Sequence, residues 1–292
     1  MKKLTIALLI IISSTFKIYA GGAWPQGTGN GFFMLSQRYI GGSFYANNSG
    51  DIIDLGDDLA GVFSTHLYCE YGLTNKIDAI VHFQPIVASY YTDEFPSSFL
   101  PINGNSTQNA GFGDMDLALK YNFYDDGIFL SATLQFGIPT GRHKPGLYGN
   151  TFALTGDGDF NQMIKFDASG GLGSNVFYNV FVGFNNRTNE FSDEFHAGGE
   201  IGRNGDKLVS ILKIYSLNSF RNGSNFPAGI PGIYSNNLEY LAVSPCFLYK
   251  LKNNWGILFE AGFAPMLKNI IAAPSFNIGI TKNVNGLKSF EF

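Results

Sequence analysis

The sequence predicts an all-β fold: a transmembrane, antiparallel, up-and-down β-barrel of about twelve strands, within a range of about ten to fourteen. Three observations predict it. The chain opens on an export leader. Segments of about ten residues then alternate apolar and polar side chains with a period of two. The connections between them alternate short and long.

Met1-Lys2-Lys3 is a short basic stretch, Leu4 to Ile12 is apolar, and the small residue Ala20 precedes Gly21-Gly22. This is the pattern of a secretory signal peptide cleaved after Ala20. The domain organisation expected is a signal peptide over residues 1–20 and a single outer-membrane β-barrel domain over 21–292. The apolar run is too short for a spanning helix, and no later stretch holds about eighteen uninterrupted apolar residues. No cysteine stands at the expected cleavage site after the apolar stretch, which excludes a lipoprotein anchor. N-terminal sequencing of the membrane-bound protein is expected to begin at Gly21; an intact Met1, or recovery from the soluble periplasm, would refute the leader.

The first expected strand lies near 29–40, followed by 61–73 and 77–91. Over 111–124, Met115, Leu117, Leu119, Tyr121 and Phe123 share one face, opposite Asp114, Asp116, Lys120 and Asn122. Over 128–139, Ile128, Leu130, Leu134, Phe136 and Ile138 oppose Ser131, Thr133 and Gln135. The next strand is expected near 158–172. Over 176–187, Val176, Tyr178, Val180, Val182 and Phe184 oppose Asn179, Asn185 and Arg187. The remaining strands are expected near 194–203, 207–219, 237–251, 255–267 and 273–282, of which 237–251 alternates least cleanly. Short turns such as Leu73-Thr74-Asn75-Lys76 and Arg203-Asn204-Gly205-Asp206 carry the Asn, Asp and Gly that tight hairpins need. Longer connections fall near 41–60, 92–110, 140–157, 188–193, 220–236 and 268–272.

In a soluble sandwich the apolar face of such strands is the core. In a barrel it faces lipid and the polar face lines a lumen. Strand length, aromatics at strand ends (Tyr90-Tyr91, Phe123-Tyr124, Trp255) and closure of every backbone hydrogen bond favour the barrel. By the same phase, arginine is expected to be tolerated at Ser131 and Thr133 but not at Leu119 or Val180. The terminal Phe290-Glu291-Phe292 resembles the signal read by barrel assembly machinery.

Composition agrees. Charged residues make up 14%, against about 25% in soluble domains, and the chain carries 28 Phe, 15 Tyr and 36 Gly. Loss of Lys2, Lys3 and Lys17 with the leader takes 19 basic residues to 16 against 23 acidic ones, a balance near −7, which argues against nucleic acid as a partner. Cys69 and Cys246 are remote in sequence and make no metal site.

Four motifs in order carry a family resemblance. Gly111-Phe112-Gly113-Asp114 leads to Lys120-Tyr121, and Gly137-Ile138-Pro139-Thr140-Gly141 ends a strand. Thr155-Gly156-Asp157-Gly158-Asp159-Phe160 begins the next, and Glu70-Tyr71-Gly72-Leu73-Thr74 forms a hairpin. Together they resemble the MetA-pathway phenol-degradation, transporter-like outer-membrane proteins, a group distantly related to fatty-acid transporters of the FadL type. Gly183 to Arg187 with Phe191 to Phe195 resembles a branch common in Bacteroidetes. The resemblance implies hydrophobic or aromatic cargo. Unlike the fatty-acid transporters, the chain has only about ten residues before its first strand, and no plug domain is expected.

The polar phase places Arg38, His66, Glu70, Asp78, His82, Asp114, Asp116, Lys120, Lys165, Asp167, Glu200 and Glu260 in the lumen, as candidates for constriction and charge selectivity. Asp114 and Asp116 are expected to need a cation between them, with Lys120, Lys165 and Arg38 in phase to supply it. No cofactor is expected. Asp157-Gly158-Asp159-Phe160-Asn161 opens like a calcium loop, but Gln162 and Ala168 stand where glycine and glutamate belong. Arg142-His143-Lys144 offers a small basic cluster to lipopolysaccharide phosphates, or is a solvated loop.

The expected function is an outer-membrane channel for passive passage of small, hydrophobic or aromatic molecules in a Gram-negative bacterium. Its expected partners are outer-membrane lipid, lipopolysaccharide, the assembly machinery and a small-molecule cargo. A structural or surface-interaction barrel with a blocked lumen is the alternative. A barrel hydrolase is the third reading: Ser64 or Ser131 can meet His82 across strands, but no catalytic motif is present and an enzyme is not expected.

Overall fold

The computed structural model describes residues 21–92, 108–143, 154–224 and 234–285. It contains sixteen strands: β1 (Gly31–Gly42), β2 (Phe44–Ala46), β3 (Ile52–Asp54), β4 (Leu59–Gly72), β5 (Ile77–Thr92), β6 (Gln108–Gly111), β7 (Met115–Asp126), β8 (Ile128–Ile138), β9 (Asn161–Gly171), β10 (Val176–Arg187), β11 (Glu194–Asn204), β12 (Leu208–Ser219), β13 (Glu239–Lys250), β14 (Trp255–Lys268), β15 (Ile270–Ile271) and β16 (Ser275–Val284).

Every neighbouring pair in the wall is antiparallel, and the ring closes where β16 pairs with β1 from Gly31↔Val284 to Ile40↔Ser275. The wall has twelve places. β6 and β7 share one, pairing with the far and near halves of β5. The break between them spans Phe112–Asp114 and lies opposite Gln84-Pro85-Ile86. Pro85 has no N–H for the ladder, so regular pairing cannot continue there. A single bond, Gly113 N–H to the Gln84 carbonyl at 2.8 Å, bridges the gap. All twelve expected strands are present. The weakest pattern, 237–251, is β13, whose inward positions Tyr240, Ala242, Cys246 and Leu248 are themselves apolar; its register with β14 shifts between Leu241 and Val243, where β14 carries the extra residue of a bulge.

The short turns gather at one end with residues 21–30, and the long connections at the other. There β15, β2 and β3 form a small separate sheet. The apolar phase faces outward. Leu117, Leu119, Leu134, Val180, Val182, Leu212, Ile214, Phe259 and Ile278 are among many large apolar side chains left exposed. Such a belt is foreign to a water-soluble surface and fits a lipid-facing wall. Cys69 shares the outward phase of Leu67, whereas Cys246 packs inside with Phe177, Val209, Ile211 and Leu258. The leader and the tail 286–292 lie outside the described residues.

Candidate functional site

The lumen is filled in three layers. At the short-turn end, the segment before β1 turns inward instead of hanging free. Ala23 and Gln26 are buried. The Ala23 N–H donates to Ser169 Oγ at 2.8 Å, and its carbonyl accepts from Ser131 Oγ at 2.6 Å and Asn122 Nδ2 at 3.2 Å. Gln26 N–H donates to both Asp78 oxygens at 3.1 Å. Trp24 packs on Phe129 and Phe177. Gly72 makes this approach possible: a Cβ there would collide with the Gly27 carbonyl. The sequence reading, which expects no plug domain, leaves this inward-turned segment unforeseen. Ten residues are too few for a domain, but their backbone polar groups find partners on five strands.

Lys120 organises this layer. Its ammonium lies against Glu70 and 3.1 Å from Asp78, and it donates to the carbonyls of Gly22 at 3.2 Å and Trp24 at 2.7 Å. Lys120, Glu70 and Asp78 are all buried. Glu70 also accepts from Tyr68 Oη at 2.9 Å. Lys120 is thus not the cation between Asp114 and Asp116, which meet other groups.

In the middle layer Asp116 takes a bond from His82 Nδ1 at 3.2 Å, His82 Nε2 lies 2.8 Å from His66 Nδ1, and His66 Nε2 lies 2.7 Å from Ser64 Oγ. A carboxylate only accepts, so one direction satisfies the chain: Ser64 donates to His66, His66 to His82, and His82 to Asp116. Ser131 is not part of it. Around the ring, Lys165 pairs with Asp167 at 3.2 Å and lies over the Phe181 ring. Lys213 pairs with Glu260 at 2.8 Å, and Arg38 approaches Glu260 at 3.8 Å. Glu200 faces Lys213 in register, and its buried Oε1 has no hydrogen-bond partner among the described residues.

At the long-loop end, three of the family-like motifs meet in one clasp. Asp114 accepts the N–H of Gly141 at 2.9 Å and of Asp157 at 3.1 Å. Thr140 Oγ1 donates to the Gly113 carbonyl and Thr155 Oγ1 to the Phe112 carbonyl, at 2.6 and 2.7 Å. Gly156 is obligatory, since a Cβ would collide with the Asp114 carboxylate. The residues 112–114 that the broken strand frees are thus recaptured by both ends of the connection between β8 and β9. The exposed Arg142 side chain donates to Asn109 Oδ1 at 3.0 Å, and Lys144 lies outside the described residues.

Beside the clasp Arg187 reaches Asp157, Asp159 and Glu194 at 2.6, 2.8 and 2.7 Å, with the Phe191 ring under its guanidinium. The carboxylates that resemble a calcium loop are occupied by this arginine. Arg187 is in phase with Asn179 and Asn185, so the period-two pattern alone identifies it as lumenal. Burial pushes the Asp157 carboxyl up to about 7, against the pull of Arg187. A carboxyl with a raised folded-state pKa favours folding below its unfolded value, near 4, and loses that contribution as pH rises toward 7. Thermal unfolding is expected to become easier over that window, and Asp157→Asn is expected to flatten the trend; equal slopes for both proteins would refute it.

Between the clasp and the charged middle layer lies a cavity of about 660 Å³. Its lining mixes Arg38, Lys213, Glu200 and Glu260 with Phe181, Tyr215, Tyr240, Leu217, Leu238, Leu267, Ile270 and Ile271. Apolar and aromatic side chains here occupy positions of the polar phase. Strand phase does not single them out, because an aromatic between two polar residues reads as noise.

No protein-family model and no curated protein sequence matches the chain. Solved structures do. An outer-membrane channel of the COG4313 group from Pseudomonas putida F1 superposes with a TM-score of 0.63 at 12% identity, over 92% of this chain and 100% of the other. A KdgM porin in complex with disordered oligogalacturonate gives 0.51 at 6%, over 87% and 99%. A NanC porin gives 0.51 at 7%, over 86% and 100%. At these identities the likeness establishes a shared fold, that of outer-membrane barrels.

Proposed function

We propose that the protein is an outer-membrane channel giving small, apolar or aromatic molecules passive passage through the barrel. The mixed apolar and charged cavity carries this reading: a lumen built only for stability has no need of apolar side chains facing unfilled space. The likeness in fold to outer-membrane channels supports it, and the motifs that resemble the transporter-like family agree with it. On this reading the leader directs export in a Gram-negative cell, the assembly machinery inserts the barrel, and the long loops meet lipopolysaccharide at the outer surface. The short turns and residues 21–30 then lie at the periplasmic end.

Residues 22–26 occupy part of the lumen at that end, so the intact barrel is expected to conduct ions poorly in planar bilayers. A variant lacking residues 22–26 is expected to conduct at least several-fold more, and cells with the intact protein to take up a small aromatic that a deletion strain does not. Absence of uptake with the intact protein would favour the blocked structural barrel, which the buried 21–26 segment otherwise suits. A selective role for Asp114 and Asp116 is part of the proposal. Replacing both by Asn is expected to alter ion preference in the 22–26 deletion background, by releasing the clasp and freeing His82.

The Ser64–His66–His82–Asp116 chain has the order of a serine hydrolase relay. Ser64, however, is 4% exposed and does not line the cavity. A fluorophosphonate probe is therefore expected to leave it unlabelled, and labelling would revive the hydrolase reading.

A further inference from the structure

Resting on the reading of the cavity as a cargo site, we propose that it selects organic anions: molecules with a carboxylate at one end of an apolar or aromatic body, held by the Arg38 guanidinium.

The basic side chains of the lumen differ in how far they are used. Lys120 is taken by two carboxylates and two carbonyls, and Arg187 by three carboxylates. Lys213 holds Glu260, and Lys165 holds Asp167. Arg38 makes no hydrogen bond among the described residues. Its nearest anion, Glu260 Oε1, is 3.8 Å away, and 46% of its side chain stays exposed although it lines the cavity. A guanidinium keeps its charge and presents a planar fork of N–H donors matched to a carboxylate. An incoming carboxylate can take that fork without displacing Lys213, because Glu260 already has its partner.

The wall beside Arg38 makes room for what the carboxylate is attached to. Arg38 pairs with Asn277, which pairs with Glu260; two residues further along, Ile40 pairs with Ser275, which pairs with Gly262. A large charged side chain thus gives way to Ser275, Gly262 and, further round, Ala264 and Ala273, all on the cavity lining. Beyond them Leu267 and Ile271 close the apolar end. Head and body are recognised at opposite ends of one space.

Glu200 argues for the opposite charge, since its Oε1 lacks a partner. That oxygen has under 1 Å² accessible, although the rest of Glu200 lines the cavity opposite Lys213; the other lining carboxylates, Asp157, Glu194 and Glu260, are held by Arg187 or Lys213, whereas the Arg38 guanidinium is open. The accessible group decides which ligand is met first.

Isothermal titration of the full-length mature barrel in lipid nanodiscs with 4-phenylbutyrate, 4-phenylbutanamide and 4-phenylbutylammonium tests the proposal. The carboxylate is expected to bind about tenfold tighter than the amide, in line with a charge-assisted hydrogen bond. Arg38→Gln is expected to remove that preference while leaving amide binding within about twofold, which also shows that the variant's cavity is folded. Equal affinity for carboxylate and amide in the native protein, preference for the ammonium, or a preference that survives Arg38→Gln would overturn the anion proposal and leave the cargo site standing. Failure of all three probes to bind the native protein would overturn both.

Discussion

Lys120→Met is expected to destabilise the barrel by about 3–5 kcal/mol, the range seen when one partner of a buried ion cluster is removed. Lys120 is 3% exposed and sits between Glu70 and Asp78, which are sealed as tightly. Two carboxylates would be left in a water-poor interior with no cation. The same change removes the donors to Gly22 and Trp24, so residues 21–26 would lose much of their hold on the wall. Two readouts are therefore expected to move together: a lower urea midpoint in lipid vesicles, and higher conductance. The triple variant Lys120→Met, Glu70→Gln, Asp78→Asn removes the uncompensated charge and is expected to recover most of the stability but not the closed end. If single and triple variants unfold alike, packing rather than uncompensated charge sets the effect.

That cluster also marks how far the sequence can be read. Strand phase alone puts Glu70, Asp78 and Lys120 on one face, because period-two alternation is enforced by the two solvents on either side of the wall. Which carboxylate meets which cation depends on register and shear, and those follow from pairing between strands that one sequence does not encode locally. Hence phase groups Asp114 and Asp116 with Lys120, whereas Asp116 sits across from His82 and Asp114 precedes the strand altogether. The break at Phe112–Asp114 explains the second miss: the Gly-x-Gly-Asp motif looks like the start of a strand, but its glycine and aspartate serve the clasp. The segment 21–26 is invisible for a different reason. It has no periodicity, and apart from the Trp24 ring its hold on the wall rests on backbone groups that any short stretch carries.

Leu119→Arg and Val180→Arg are expected to impair insertion by about 2–4 kcal/mol each, the cost of an arginine near the middle of the lipid-facing wall. Leu119 is 55% exposed and Val180 52%, each near the centre of its strand, with Leu134 beside Leu119 on the same outer surface. The control must be chosen from the structure. Ser131 and Thr133 have the right phase, yet both are buried, and Ser131 Oγ holds the Ala23 carbonyl. Arginine at Ser131 would have to expel the inward segment, and at Thr133 it would lie between Lys120 and Lys165, so the tolerance expected from phase alone does not follow. Ser244 is the better site: it lines the cavity, is only partly buried, and neighbours Lys213 in register. Ser244→Arg is expected to insert normally while both outer-face variants lose heat-modifiable, folded protein from the membrane. Equal insertion of all three would mean that the outward apolar belt does not meet lipid, and the membrane reading of the barrel would fall with it.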